Sequence, residues 1–421
     1  MSPVFLRRPV LSWALYDWAN SAFATTVLAG FFPIFFKQYW NSGVDSAVST
    51  FRLGLANSSA ALAVALLAPI LGAIADRSGA RKKGLVLFAL CGALATAALY
   101  FISADRWLDA AIVFIGASIA FALSNMFNDS LIIDVADNSE LDVVSGYGYA
   151  LGYLGGGLLF AINVVMVLQP AWFGLSGKDL AVRWSFLSVA IWWTVFTVPL
   201  MLYVEEKPTK HKEPLMNAIV AGFRQLADTL RHLRQYKPAL YFLLAYWIYI
   251  DGVYTVIKLA ADYGLSLGFK DTDLIKALLL TQFIGFPSAL FFGWLGRRIG
   301  ADRGILIGLF VYLLTSVWAY FLHSVWQFYA MAVLVGLVQG GVQSLSRAYY
   351  GRLIPHDMSG EFFGLFNMVG RFAAVMGPLL AGTVVLLSGN VRLEILAIVP
   401  LFLLGGGLLL LVRTEQGRAS H

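Results

Sequence analysis

The segment Gly72-Ala73-Ile74-Ala75-Asp76-Arg77-Ser78-Gly79-Ala80-Arg81-Lys82-Lys83 closes one apolar run, 51–75, and opens another, 84–103. Each run has the roughly 20 residues that a helix needs to cross a hydrocarbon core. So short a connection makes two such helices antiparallel neighbours. Four bases in seven residues mark the side of the membrane on which basic residues collect. A loop that served only as positive charge would need neither the acid, Asp76, nor the glycines Gly72 and Gly79. After the run 274–296 the pattern returns as Gly293-Trp-Leu-Gly-Arg297-Arg298-Ile-Gly300-Ala-Asp302-Arg303, displaced by 221 residues. The glycines and bases recur; Arg297 stands where Asp76 stood.

Outward from these two loops the chain reads as bilayer-solvated. Of its 421 residues 59% are hydrophobic and 13% charged, with a mean hydropathy of +0.75. Soluble domains carry about 25% charged residues, and disorder requires low hydrophobicity, so both are excluded. Twelve spans are expected, near 11–36, 51–75, 84–103, 107–128, 146–168, 184–204, 239–259, 274–296, 304–322, 326–347, 361–387 and 391–412. The fold class is an all-α membrane protein. A six-helix half over 1–204 and another over 239–421 flank a linker, 205–238. With the N-terminus inside, twenty Lys and Arg fall on the inner side and nine on the outer. Both termini are therefore expected in the cytoplasm of an inner-membrane protein. The net charge of +6 is read as this topology, not as nucleic-acid binding. Within the linker, Leu215, Ile219, Phe223, Leu226, Leu230 and Leu233 recur at helical spacing. That predicts an amphipathic helix on the membrane surface or against the bundle.

The halves repeat beyond the loops. Asn125-Met-Phe-Asn128-Asp129 ends span four and Gln343-Ser-Leu-Ser346-Arg347 ends span ten, 218 residues on. Gly146 and Gly152 answer Gly364 and Gly370 at the same displacement. Such internal symmetry marks a transporter whose site lies between its repeats. The first loop resembles the signature loop of the major facilitator superfamily at Gly72, Asp76, Arg77, Gly79, Arg81 and Lys82. With twelve spans and a central inner segment, the likeness runs over the whole chain. Asp76 is expected to cap a neighbouring helix through its dipole, with the bases bound to acids on adjoining loops such as Asp134, Asp137, Glu140 and Asp142. These residues would form a gate that breaks when that face opens.

A narrower resemblance lies in Trp13-Ala-Leu-Tyr16-Asp17-Trp18-Ala-Asn20-Ser21-Ala-Phe23-Ala-Thr25-Thr26, in Gly340-Gly341-Val-Gln343-Ser344-Leu-Ser346-Arg347, and in Glu361-Phe362-Phe363-Gly364. These stretches are similar to the vacuole-effluxer family of autophagy-related proteins and its bacterial relatives. The resemblance implies a secondary transporter and, for the fungal members, amino-acid export. Gly152-Tyr153-Leu-Gly155-Gly156-Gly157 resembles an antiporter signature, with Tyr153 where that signature has proline.

Charges at bilayer depth mark a pathway by default. Arg371 and Asp251 are placed near mid-membrane, Asp17 nearer the inner face. Polar residues fall on helical stripes: Asp17 and Asn20 in span one, Trp247, Asp251, Tyr254 and Lys258 in span seven, Gln339 and Gln343 in span ten, Asn367 and Arg371 in span eleven. For the uncharged ones, interhelical bonding is the equal alternative. These residues are the candidate substrate site. Tyr16, Trp18 and Tyr249 are further cavity candidates. Asp129 and Arg347, repeat-related and opposite in sign, are expected to face each other as a second element of the gate.

The leading expectation is a secondary active transporter of a small amphoteric solute such as an amino acid, working in efflux. Arg371 would bind a carboxylate, and Asp251 or Asp17 an ammonium group or a coupling proton. An exporter of hydrophobic or cationic compounds is the alternative, since aromatic rings attract cations. A sugar transporter, a non-transporting receptor and a membrane enzyme complete the set. No nucleotide-binding loop, zinc motif or nucleophile elbow is present, so no catalytic residue or cofactor is expected. With five histidines and the single Cys91, neither a metal site nor a disulfide is expected. A monomer in the bilayer is expected.

Overall fold

The computed structural model describes residues 4–207, 214–231, 233–390 and 392–419. Among these, twelve helices are long and apolar enough to cross a membrane. They are α1 Arg8–Trp40, α2 Val48–Ser78, α3 Arg81–Phe101, α4 Trp107–Val135, α5 Leu141–Leu168 and α6 Lys178–Tyr203, then α7 Lys237–Ala260, α8 Thr272–Ile299, α9 Ala301–Ala319, α10 Val325–Leu353, α11 His356–Ser388 and α12 Leu393–Val412. A linker helix, Leu215–Arg231, lies between the two groups of six. No strand occurs among the described residues. All twelve expected spans are present. Several run further than hydropathy suggests, α4 to Val135 and α10 to Leu353, because their polar ends stay helical while buried in contacts with other helices.

Large apolar side chains stand open on the bundle exterior, Leu94 at 72% and Leu386 at 84% exposure, as befits a protein whose solvent is lipid. The chain is an integral, multi-pass membrane protein.

Glycines let the two groups of six meet. A Cβ on Gly72 of α2 would lie 2.1 Å from the carbonyl oxygen of Gly360 in α11, and one on Gly146 of α5 would lie 2.9 Å from Cα of Gly293 in α8. Both contacts are of the small-residue kind that lets helix backbones touch. Both lie at the end of the bundle carrying the α2–α3 and α8–α9 loops, here called the basic end. Within the α2–α3 loop Gly79 takes φ +61°, a left-handed turn that suits glycine.

The linker helix turns differently from the expected stripe. Ala218, Gly222, Gln225 and Thr229 form the face against the bundle, with Gly222 on the backbone of Ile74 in α2. Phe223 and Val220 stay exposed, and Ile219 and Leu226 are half-buried. Small and polar residues win this face because the helix comes close to α2 and reaches polar groups beyond it. The side chains of Leu215, Leu230 and Leu233 lie outside the described residues.

Candidate functional site

The two charged clusters of the basic end are built on the residues that repeat. Asp76, near the end of α2, accepts hydrogen bonds from the backbone N–H groups of Gly360 (2.9 Å) and Glu361 (2.8 Å) at the start of α11. A carboxylate there satisfies donors that a first helical turn leaves unpaired and complements the helix dipole. Arg81 gathers the surrounding acids. Its guanidinium lies 2.9 Å from Asp134 and 3.1 Å from Glu206, and it donates to Ser359 of α11 and to the carbonyl of Ser130. Lys82 uses its backbone N–H on Glu206 at 3.1 Å. Arg77 donates through Nε to Gln225 of the linker helix, whose amide donates to Glu361 at 2.6 Å. One glutamine side chain thus bridges α2 and α11. Of the acids at the end of α4 and beyond it, Asp134 is bound by the signature loop, whereas Glu140 is held by Arg7 and Asp142 by Arg352.

The second cluster centres on Arg347 of α10, fully buried. It donates to Asp129 of α4 at 3.1 Å, so the expected pair is present. It also donates through both Nη atoms to Asp17 of α1 at 3.1 Å, and to the hydroxyl (2.9 Å) and carbonyl (3.0 Å) of Ser145 in α5. The rings of Trp13 and Tyr149 stand 4.7 and 4.5 Å from the guanidinium carbon. Asn128 donates to the other oxygen of Asp17 at 3.0 Å, and Asn367 of α11 to Asp129 at 3.2 Å. Arg347 therefore ties α1, α4 and α5 to α10 with nearly every donor used, as a buried charge requires. Asp17, expected in the substrate site, belongs to this cluster. Its position early in α1 puts it opposite the end of α10, and sequence spacing gave no sign of that cross-helix partner.

Arg371 stands apart. It lies on α11 one turn beyond Asn367, about 6 Å along the axis at 1.5 Å per residue. Among the described residues it makes no hydrogen bond and no ion pair; the groups in its electrostatic neighbourhood include the hydroxyls of Tyr254 and Tyr246 and the ammonium of Lys258. Both hydroxyls stand beside Gly370, the residue before Arg371, at 3.6 and 4.0 Å from where a Cβ on it would lie.

Asp251 is not the partner of Arg371. Its two carboxylate oxygens each accept from the backbone N–H of Gly377, at 2.9 Å, next to the helix-interior Pro378 of α11. Proline disturbs the helical ladder around it, and Asp251 supplies an acceptor there; its bond is one of packing α7 on α11. Other expected cavity residues also find partners in the bundle. Asn20 donates to Asn125 at 2.7 Å. Tyr16 receives the indole N–H of Trp193 at 3.4 Å, Trp18 stacks on Trp192 with centroids 5.5 Å apart, and Tyr249 bonds Ser346 at 2.7 Å. Gln339 and Gln343 are half-buried, and Trp247 is 36% exposed. Tyr149, Tyr246, Trp13 and Ser145 are site residues that hydropathy and charge did not single out. Their signal is aromatic and small residues spaced along helices whose role shows only once the helices are assembled.

With this geometry in place, comparison with known proteins gives the family. The family described as "Vacuole effluxer Atg22 like" matches over residues 6–141 and 134–421. The chain belongs to it. It is 36% identical over 407 residues to the uncharacterized MFS-type transporter YxiO of Bacillus subtilis, covering 96% of this chain and 94% of that protein. It is 25% identical over 308 residues to autophagy-related protein 22-1 of Penicillium rubens, covering 65% of this chain and 50% of the fungal protein; that relative is matched over half its length. Among solved structures it is similar to the human organic anion transporter MFSD10 (TETRAN), with a TM-score of 0.74 at 15% identity, over 97% of this chain and 100% of that one. The fold is that of the major facilitator superfamily, and the chain is an MFS-type transporter.

Proposed function

We propose that this family member is a secondary active transporter that exports a small amphoteric solute, an amino acid or a compound of that kind, by alternating access. One observation carries the reading: Arg371 is a guanidinium inside the bundle that makes no ion pair among the described residues, whereas Arg347 and Arg81 each hold two or more carboxylates. An arginine cannot shed its proton to escape that environment, and its planar fork suits a carboxylate. The solute's carboxylate would lie on Arg371 beside Tyr246 and Tyr254. Its ammonium end would point toward Asp129, one turn nearer the basic end. Asn367, Gln343 and Trp247 are the remaining candidates for contact. An exporter of lipophilic cations is less well supported, because the unpartnered charge is itself positive.

The groups 1–204 and 239–421 are proposed as the two rocking bodies, and the basic end as the cytoplasmic side, with both termini there in the inner membrane. Asp76, Arg77, Arg81, Lys82, Asp129 and Arg347, with Gly72 and Gly79, would hold that side closed in the arrangement seen, leaving Arg371 accessible from the opposite side. A coupling proton would be carried by Asp17 or Asp129, which compete for Arg347.

The test is thermal stabilisation of the purified protein. A ligand at 100 times its Kd adds about 2.7 kcal/mol to the folded state. A panel of amino acids and small carboxylates should contain a stabiliser. Arg371→Lys should abolish the shift without unfolding the protein, since a lost charge-assisted bond costs about 1.5–3 kcal/mol. Counterflow of that compound in liposomes then checks transport. If only lipophilic cations stabilise, the amphoteric substrate is wrong.

A further inference from the structure

We propose that the linker helix, Leu215–Arg231, is a lipid-binding element: its open arc lies in the bilayer interface at the basic end, in contact with acyl chains and anionic headgroups. Three observations place it there. Its packing face, Ala218, Gly222, Gln225 and Thr229, is fixed on the last turns of α2, with Gly222 against the backbone of Ile74. Ile74 lies one residue from the end of the apolar run 51–75, whose length matches the hydrocarbon core, and four from the end of the helix Val48–Ser78, so it is assigned to the boundary between hydrocarbon and headgroups. The helix is therefore held at interface depth by a contact that does not depend on lipid.

The next arc round the helix is apolar and uncovered. Phe223 is 51% exposed and Val220 63%, with Ile219 half-buried beside them. In water this arc would be an unexplained hydrophobic surface. At interface depth it is the apolar side of a helix lying in the membrane plane. Beyond Val220 the exposed side chains are charged: Arg224 and Arg231, then Asp228. Cations at the boundary between an apolar arc and water match the phosphates of an anionic leaflet, which attracts basic residues near its surface. A soluble protein partner would not require the arc to sit level with the end of a membrane span.

The experiment uses the full chain, with Cys91→Ser removing its exposed cysteine. Single nitroxide labels are placed through Phe223→Cys, Val220→Cys and Asp228→Cys in nanodiscs. Labels at 223 and 220 should collide several-fold more with oxygen, which concentrates in lipid, than with a water-soluble nickel chelate. The label at 228 should show the reverse. Equal access of the chelate at all three would overturn the proposal, and so would loss of both relaxants at 223 and 220, the mark of a protein cover. Replacing phosphatidylcholine by phosphatidylglycerol should deepen 223 and 220, and Arg224→Gln with Arg231→Gln should remove that response. A parent chain indifferent to lipid charge would overturn the anionic part. None of these readouts depends on the transported solute.

Discussion

Gly72 lays its backbone on Gly360, and Gly293 lays its own on the start of α5, where an added Cβ would meet the carbonyl oxygen of Asp142 at 2.9 Å. Up to this point the two repeats do the same thing: α2 meets α11 as α8 meets α5. Four residues on they part. Asp76 binds two N–H groups at the start of α11; Arg297, its counterpart, is exposed. A cation could not accept those bonds and would oppose the positive end of a helix. Asp142, at the start of α5 on the other seam, takes its cation from Arg352 of α10 and not from α8. Close backbone approach is thus the property the repeats share, and the acid on a helix start belongs to one seam only. Two seams of equal packing and unequal bonding can part in sequence, the weaker first.

The largest effect should come from Asp129 and Arg347, repeat-related residues that bind each other. Arg347→Met leaves Asp17 and Asp129 buried without their cation. Removing one partner of a buried pair costs about 3–5 kcal/mol, so the melting temperature should fall steeply. Exchanging the charges, Asp129→Arg with Arg347→Asp, should not restore it, because the new carboxylate faces Asp17. Recovery of parental stability by the exchange would show that Asp17 contributes little and that the pair is a simple symmetric contact.

Next come the glycines, which test what the seams share. Gly72→Val and Gly293→Val should each disfavour the closed basic end by about 1–3 kcal/mol, the usual range for overpacking. Both should raise the labelling rate of a thiol introduced at the buried position Ala136. A silent Gly293→Val would break the equivalence of the seams. Asp76→Asn then tests what they do not share. It keeps one acceptor and loses the charge, and loss of a helix cap costs typically about 1 kcal/mol. Transport should slow severely while the protein stays folded. Arg297→Gln should change neither transport nor stability beyond about 0.5 kcal/mol.

The fold was legible because bilayer physics leaves few choices: runs of about 20 apolar residues become helices, and all twelve did. The seams were legible where chemistry is repeated along the chain, at Gly72, Asp76, Asp129 and Arg347. The partners of Asp17 and Asp251 were not legible, because depth in a span says a charge needs a partner without saying which helix brings it. Asp17 found Arg347, 330 residues away, and Asp251 found a backbone N–H, a donor that every residue but proline has and no pattern marks. The linker helix was legible from its period, but not which face packs on the bundle: the close approach of Gly222 to α2 selects the face beside the apolar stripe.

The smallest effect concerns that helix and gives the comparison its sharpest form. Gln225 spans one seam, accepting from Arg77 on α2 and donating to Glu361 on α11. No described residue of the linker helix does the same at the α5–α8 seam. Gln225→Ala removes two hydrogen bonds at a half-buried site, worth about 1 kcal/mol in total once water replaces them. The labelling rate at Ala136→Cys should then rise on the order of 5-fold, the factor that about 1 kcal/mol corresponds to when opening and closing are fast relative to labelling. Gln225→Glu should do more, because a carboxylate in that place faces Glu361 where an amide had donated to it. If the glutamate variant labels no faster than the alanine variant, Glu361 does not feel residue 225, and the linker helix rests on the seam without joining it.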